Sequence, residues 1–420
     1  MVQEVTCSAP VNIAVIKYWG KRDSNLILPT NSSLSVTLDQ SDLRSTTTAR
    51  LLDVEGPDRL WLNGVEQIIN ANSRLGKCLE GMRQLKTKAE QTKSLELGND
   101  HLPESRRAIL IASENNFPTA AGLASSASGF AALAFTLSKL YALSLSPSEL
   151  SMIARQGSGS ACRSIFGGFV AWEMGSIDDG SDSMAVEVAN QAHWADLEAL
   201  ICVVSDLKKG TSSTSGMEAT VNTSELLQHR IKNVVPERMK GMKAAIIAKD
   251  FDKFAELTMA DSNQFHAVCL DTTPPIFYLN DVSRAIIAVV EELNRSSRAE
   301  GDGYVAAYTF DAGPNAVIYA PKRNMRKVIN LILRYFPLPD STPFQDPKHA
   351  FESKELAGTL PLPVNFNQAV SPLWPNGHVS RVIHTQVGDG PQVLSQELGT
   401  GLLDSKGFVK SLQLNGHQTK

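Results

Sequence analysis

Apolar and polar positions along the chain alternate between two periods. From Thr6 to Leu60 short β-rich runs are separated by turn residues: Val11 to Val15, the Pro29-Thr30-Asn31-Ser32-Ser33 turn, then Ser35 to Leu38. Over Asn72 to Thr92, Leu75, Cys78, Leu79, Met82 and Leu85 recur at intervals of three and four, which marks one face of a helix. An apolar strand at Ala108 to Ile111 and the loop Ser113 to Pro118 lead into a long helix of small residues. Ser146 and Pro147 predict a helix start, with a serine cap and a proline at the first helical position, and that helix ends near Gly157. Gly167 and Gly168 precede a strand at Phe169 to Trp172, and the acidic Gly175 to Ser183 stretch reads as an exposed loop. After a strand at Ala199 to Val204, helices are expected near Glu225 to Lys249, Phe251 to Cys269 and Val282 to Arg295, with a strand at Tyr304 to Phe310. Mixed α and β is the class, and the boundary between an N-terminal domain, 1–195, and a C-terminal domain, 196–420, falls near residue 195. The proline-rich stretch Pro337 to Pro375 reads as a surface excursion.

Length supports this division, since 420 residues exceed what one hydrophobic core usually sustains, and a cleft between two domains is where small ligands bind. With 42% hydrophobic and 20% charged residues and a net charge of -4, the composition is that of an ordinary globular protein. The basic residues are scattered, apart from a short, solvated helical run around Lys86, Lys88 and Lys93, so nucleic acid is not an expected partner. Cys7, Cys78, Cys162, Cys202 and Cys269 show neither metal-ligand spacing nor a disulfide pattern, and no metal site is expected among them; a reducing, cytoplasmic setting is. The first residues lack a secretory pattern, and the most apolar stretch, Phe117 to Leu143, carries too many serines for a membrane span.

The chemistry is carried by residues 118–128, Pro-Thr-Ala-Ala-Gly-Leu-Ala-Ser-Ser-Ala-Ser, where a loop of small side chains becomes a helix. Such a start lets backbone N–H groups approach a polyphosphate, and the helix dipole favours its charge. Ser125 and Ser126 add hydroxyls for phosphate oxygens or a magnesium shell. Small residues alone suit a slim packing helix equally well, and the run is not a Walker-type loop.

The run resembles the phosphate loop of the GHMP kinase superfamily, Pro-x3-Gly-Leu-x-Ser-Ser. Three further segments, Ala9 to Asp23, Gly157 to Ser164 and Tyr308 to Ala316, are similar to the mevalonate-diphosphate decarboxylases of that superfamily. The likeness runs from about Thr6 to Gly388. It implies an α+β two-domain GHMP kinase fold, with an N-terminal domain like ribosomal protein S5 domain 2, a ferredoxin-like C-terminal domain and the site in the cleft between them. It further implies a homodimer, ATP as co-substrate with Mg2+, no organic prosthetic group, and mevalonate diphosphate as small-molecule substrate. The expected activity is ATP-dependent decarboxylation to isopentenyl diphosphate.

That substrate has no carbonyl at the β-carbon to accept electrons, so its tertiary hydroxyl must first become a phosphate leaving group. Under the resemblance Asp311 takes or orients the hydroxyl proton, and Lys17 supplies positive charge to that carboxylate or to the migrating phosphoryl group. Without it, an Asp before Gly313-Pro314 is a turn former and Lys17 a solvated strand lysine. Arg163, Ser158, Ser160 and Lys21 suit a diphosphate, and Tyr18, Trp19, Gly20, Arg74, Gly159, Ala161, Cys162 and Thr214 complete the expected substrate contacts. Asn12 falls near the substrate carboxylate, while Pro118, Ala120, Ala121, Gly122, Leu123, Ala124, Ser125 and Ser126 form the ATP loop. Mevalonate kinase has Ser-Gly-Val-Asp where this chain reads Ser158-Gly159-Ser160-Ala161-Cys162-Arg163, so the kinase base is missing and Asp311 is its replacement. A related small-molecule kinase, such as a phosphomevalonate kinase, and a silent nucleotide sensor are the alternatives. His229 and His266 are given no chemistry.

Overall fold

In a computed structural model, residues 3–94, 102–117, 125–204, 210–352 and 355–410 are described. The strand-rich opening contributes to three sheets, the smallest a two-stranded pairing of Lys21–Asp23 with Leu28–Pro29. The largest has six strands, in the order Gln392–Ser395, Gln3–Pro10, Arg44–Glu55, Arg107–Asn115, Arg59–Leu62 and Val65–Gln67. Alternate residues of its central strands, Cys7, Ala9, Ala49, Leu51, Ile109 and Ile111, pack against Ala131, Ala134 and Leu137 of the helix Ser125–Leu140. Alanine on that helix face lets it lie close to the sheet. A second sheet of four strands runs Ala185–Ala189, Phe169–Trp172, Ser33–Thr37 and Asn12–Ile16.

The C-terminal half builds another four-stranded sheet, Ala307–Phe310, Ala316–Pro321, Leu197–Val203 and Arg381–Gln386, covered by helices. Its core is continuous with that of the second N-terminal sheet. Trp194 stacks on Phe169 from one side and meets Phe254 edge-on from the other, with ring centroids 6.0 and 5.6 Å apart. The halves therefore share buried surface, and strand Asn12–Ile16 is held against helix Phe251–Leu270. The fold is mixed α+β, as the pattern predicts, with two halves meeting at this seam.

Several expected elements form where the pattern puts them. Helix Pro147–Gly157 starts with a full capping box: Glu149 N donates to Ser146 Oγ at 3.3 Å, and Ser146 N donates to the Glu149 carboxylate at 2.8 Å. Others differ for identifiable reasons. The strand expected over Tyr304 to Phe310 begins at Ala307, because the Asn294 side chain bonds Val305 N, Ala306 N and Ala306 O in place of a neighbouring strand. The single helix expected near Glu225 to Lys249 is interrupted by a π-helical turn at Arg230–Val234, just before Pro236, which has no N–H to continue the regular ladder. A helix at Lys322–Tyr335, absent from the expectations, buries Met325, Val328, Ile329 and Ile332 on one face.

Strand Gln392–Ser395, from late in the chain, returns to pair with Gln3–Pro10. The 337–375 stretch is irregular, as expected, yet Phe344, Phe351, Phe366 and Trp374 pack against the core instead of lying free on the surface. No helix among the described residues is long and apolar enough to cross a membrane.

Candidate active site

The strand Asn12–Ile16 delivers Lys17 to the seam between the halves. Its peptide is held on both sides: the N–H donates to Asp261 Oδ2 at 2.7 Å, and the carbonyl accepts from Arg230 at 3.1 Å and Asn31 at 3.0 Å. With the backbone fixed, Lys17 Nζ donates to Ala14 O at 2.7 Å and to Asp311 Oδ1 at 2.6 Å. Asp311 follows strand Ala307–Phe310, and Gly313 N bonds back to its carbonyl at 2.7 Å, so the chain turns there and leaves the carboxylate facing open space. The ammonium is 3% exposed and the carboxylate 32%. Burial pulls Lys17 below the ordinary lysine value, and the charges of Asp311 and Asp261 work against that fall.

Arg163 lies beside this pair. Its Nε donates to Asn12 Oδ1 at 3.2 Å and to Ser35 Oγ at 3.0 Å, and its Nη1 to Ser33 Oγ at 2.5 Å. These partners are neutral, and among the described residues no carboxylate forms an ion pair with it, although it is buried. A buried guanidinium with only neutral partners is an anion site in waiting. Asn12 is held in turn by Ser160 O and Ser164 Oγ, at 3.1 and 2.7 Å.

These groups open onto a cavity of about 230 Å³. Its wall brings together Asn12, Lys17, Tyr18, Trp19, Lys21, Arg74, Ser125, Ser126, Ser158, Gly159, Ser160, Arg163, Thr214 and Asp311, which come from widely separated parts of the sequence. Three helices, Arg74–Ser94, Ser125–Leu140 and Ser213–Thr223, begin at its edge. Arg74 donates to Thr214 Oγ1 at 2.5 Å, and the Ser126 and Ser158 hydroxyls meet at 3.2 Å. Lys21 stands half-buried near Arg74, and burial, followed by the Arg74 charge, draws it below the usual lysine value. The buried Tyr18 hydroxyl has no partner among the described residues. Behind Ser125 and Ser126 lies a second, apolar cavity of about 280 Å³, walled by Leu60, Leu62, Leu75, Phe130 and Leu133.

Comparison with known proteins gives this cavity its context. Residues 9–185 match the family described as "Diphosphomevalonate decarboxylase-like N-terminal domain", and residues 199–394 match "Mevalonate 5-diphosphate decarboxylase C-terminal domain". The diphosphomevalonate decarboxylase of Ganoderma lucidum is 58% identical over 97% of this chain and all of its own. The chain belongs to the diphosphomevalonate decarboxylase family. A solved mevalonate 5-diphosphate decarboxylase is 48% identical, with a TM-score of 0.81 over 96% of this chain and 99% of its own. A structure described as MDDEF in complex with MVAPP, AMPPCP and magnesium is 30% identical, with a TM-score of 0.69 over 94% of this chain and all of its own.

Some residues expected at the decarboxylase site stand behind its wall. Gly20 turns the chain at a φ of 92°, where a Cβ would meet Thr30 Oγ1 at 2.8 Å. Ala161 belongs to the core, and Cys162, whose thiol bonds Gly159 O at 3.0 Å, is pushed up to about 12 by burial, so it remains a thiol. Pro118, Ala120, Ala121, Gly122, Leu123 and Ala124 of the phosphate loop lie outside the described residues. Among the described residues no three His, Cys, Asp or Glu side chains are grouped to hold a metal. The sequence reading missed Asp261, Arg230 and Asn31. For Asp261 a signal existed: it shares a helical face with Phe254, Thr258, Phe265 and Val268, and a carboxylate on an apolar stripe needs a buried partner.

Proposed function

We propose that the chain catalyses the ATP-dependent decarboxylation of (R)-5-diphosphomevalonate to isopentenyl diphosphate, carbon dioxide, ADP and phosphate. The observation that carries this reading is the Lys17–Asp311 contact of 2.6 Å at the cavity wall, with Arg163 beside it lacking any carboxylate among the described residues. Asp311 takes the proton of the tertiary hydroxyl as that oxygen attacks the γ-phosphorus and ADP leaves. The C–O bond then breaks with its electron pair on phosphate. The pair from the bond to the carboxylate forms the new double bond, and carbon dioxide departs. Lys17 offsets the charge gathered at the phosphoryl group.

The arrangement supports a division of labour that differs from the sequence reading. Arg163, bonded to Asn12 and deep beside Lys17, fits the substrate carboxylate, whereas Lys21, Arg74, Thr214 and Tyr18 fit the diphosphate. Ser158 and Ser160 share the cavity wall with them. Ser125, Ser126 and the preceding loop take the triphosphate, and the apolar cavity next to those serines fits the base. Mg2+ would enter as the counter-ion of ATP, and the Ser125 and Ser126 hydroxyls are the groups that would help to hold it. The five cysteines are free, in keeping with a cytoplasmic enzyme, and a homodimer follows from the family likeness.

The test is to supply carboxyl-labelled mevalonate diphosphate with ATP and magnesium. One labelled carbon dioxide per ADP is expected. A stable phosphorylated product with no carbon dioxide would make the chain a kinase, and ATP binding without turnover would make it a sensor.

A further inference from the structure

Lys21, Ile27, Arg74, Thr214 and Met217 line two cavities at once, the site cavity and an outer chamber of about 520 Å³. Most of the outer wall comes from three elements: the hairpin joining Lys21–Asp23 to Leu28–Pro29, the start of helix Arg74–Ser94, and helix Ser213–Thr223 of the C-terminal half. Ser24, Asn25, Asn72 and Asn222 on that wall are exposed, so the chamber lies on the solvent side of Lys21 and Arg74. Its charge is one-sided. Lys21, Arg22, Arg74 and Lys77 stand against a single carboxylate, Glu218. The cavity of about 620 Å³ beside helix Lys322–Tyr335 is different, because Arg323, Arg326 and Lys327 there are matched by Glu300, Asp302 and Glu355.

Little else in the protein answers these cations. Among the described residues Lys21, Arg74 and Lys77 form no ion pair; Arg74 donates to Thr214 Oγ1, and Lys77 Nζ to the Asn25 carbonyl at 3.4 Å. Arg22 donates to the Ile177 carbonyl at 3.1 Å and lies 3.9 Å from Asp178, whose side chain stands fully in solvent. Asp23, on the same hairpin, turns its carboxylate onto the Asn25 and Leu26 N–H groups, both at 2.8 Å. A concave wall of one sign, backed by low-dielectric protein, concentrates ions of the other sign and speeds their arrival. Arg22 and Lys77 line the outer chamber alone, whereas Lys21 and Arg74 line both. We propose that the outer chamber is a capture site for the diphosphate end of the substrate, drawing it from solvent over Lys77 and Arg22 and passing it to Lys21 and Arg74. This deepens the proposed function and rests on its placing of the diphosphate.

The test reads association and dissociation rates from 31P line shapes, for mevalonate diphosphate and separately for inorganic pyrophosphate, with the full chain and no ATP. Lys77→Glu reverses one charge of the chamber. Association of both anions should fall about tenfold at an ionic strength of about 0.02 M, and less than about twofold at about 0.5 M, where screening is strong. Glu218→Gln removes the opposing charge and should raise association about twofold at the lower salt. Dissociation should stay within about twofold in both variants, because the seated diphosphate rests on the inner groups. Unchanged association in Lys77→Glu overturns the proposal, as does a loss that persists at high salt, which a disturbed helix start would give. Faster dissociation with association intact overturns it too, since the diphosphate would then sit on Lys77 itself. So does a fall in Glu218→Gln. Neither ATP nor turnover enters these rates, so a chain that follows the pattern yet releases no carbon dioxide would end the functional reading and leave the capture site standing.

Discussion

Glu4 and Arg50 meet inside the six-stranded sheet, and Lys17 and Asp311 meet in the cleft; both pairs join a buried cation to a carboxylate at hydrogen-bond distance. The sheet pair is closed. Its side chains are 1% and 4% exposed, Gly399 N donates to the other oxygen of Glu4, and the Arg50 guanidinium also donates to the carbonyls of Asp404 and Ser405. The cleft pair is open, since Asp311 is one-third exposed and lines the cavity. A satisfied pair has nothing left to offer a ligand and fastens the returning C-terminal segment to the sheet. An unsatisfied one keeps an acceptor for a proton.

The comparison breaks most readily at Asp311. Asp311→Asn preserves shape and removes the proton acceptor, so kcat should fall by about a thousandfold or more, equivalent to about 4 kcal/mol of barrier. The melting temperature and the binding of mevalonate diphosphate should hold, as steady-state kinetics and calorimetry would report. Binding lost with turnover intact would place Asp311 outside the chemistry. Arg50→Met is the converse. It strands a buried carboxylate and should cost about 3 kcal/mol of folding stability in denaturant titration, with kcat/KM of the folded fraction unchanged. A kinetic defect there would show that the closed pair is not merely structural.

The same contrast explains what the sequence made legible. Asn12, Lys17, Tyr18, Ser158, Arg163 and Asp311 sit in short contiguous motifs whose spacing survives folding, so the cavity they line was readable residue by residue. Asp261 and Arg230 were not, because each stands alone in a helix and acquires meaning only from a partner 31 residues away. Strand pairing over long separations is equally silent. Nothing in Gln392–Ser395 announces that it will lie against Gln3–Pro10, and the Val305 and Ala306 backbone is satisfied by a side chain that periodicity cannot see. Long regular helices such as Phe251–Leu270 were legible throughout, because their apolar spacing is local.

Arg163 sharpens the comparison from the side of the cation. It is as buried as Arg50 but has hydroxyl and amide partners where Arg50 has a carboxylate. Arg163→Gln should therefore relieve the protein of an unpaired charge, leaving stability level or higher. KM for mevalonate diphosphate should rise roughly thirtyfold, the loss of about 2 kcal/mol of charge-assisted bonding. A drop in stability with KM unchanged would mean that Arg163 serves the fold, as Arg50 does.

Ser146 gives the smallest effect and the cleanest control. Its capping box starts helix Pro147–Gly157, the far end of which presents Ser158 to the cavity, yet the cap itself is exposed and remote from both buried pairs. Ser146→Ala leaves Glu149 N without its side-chain acceptor and should lower stability by about 1 kcal/mol. If openness to the cavity is what separates working polar groups from structural ones, kcat and KM should not move. A shift in KM would show that the helix carries strain from its cap to Ser158, and the distinction between closed and open pairs would then need to include the elements that hold them.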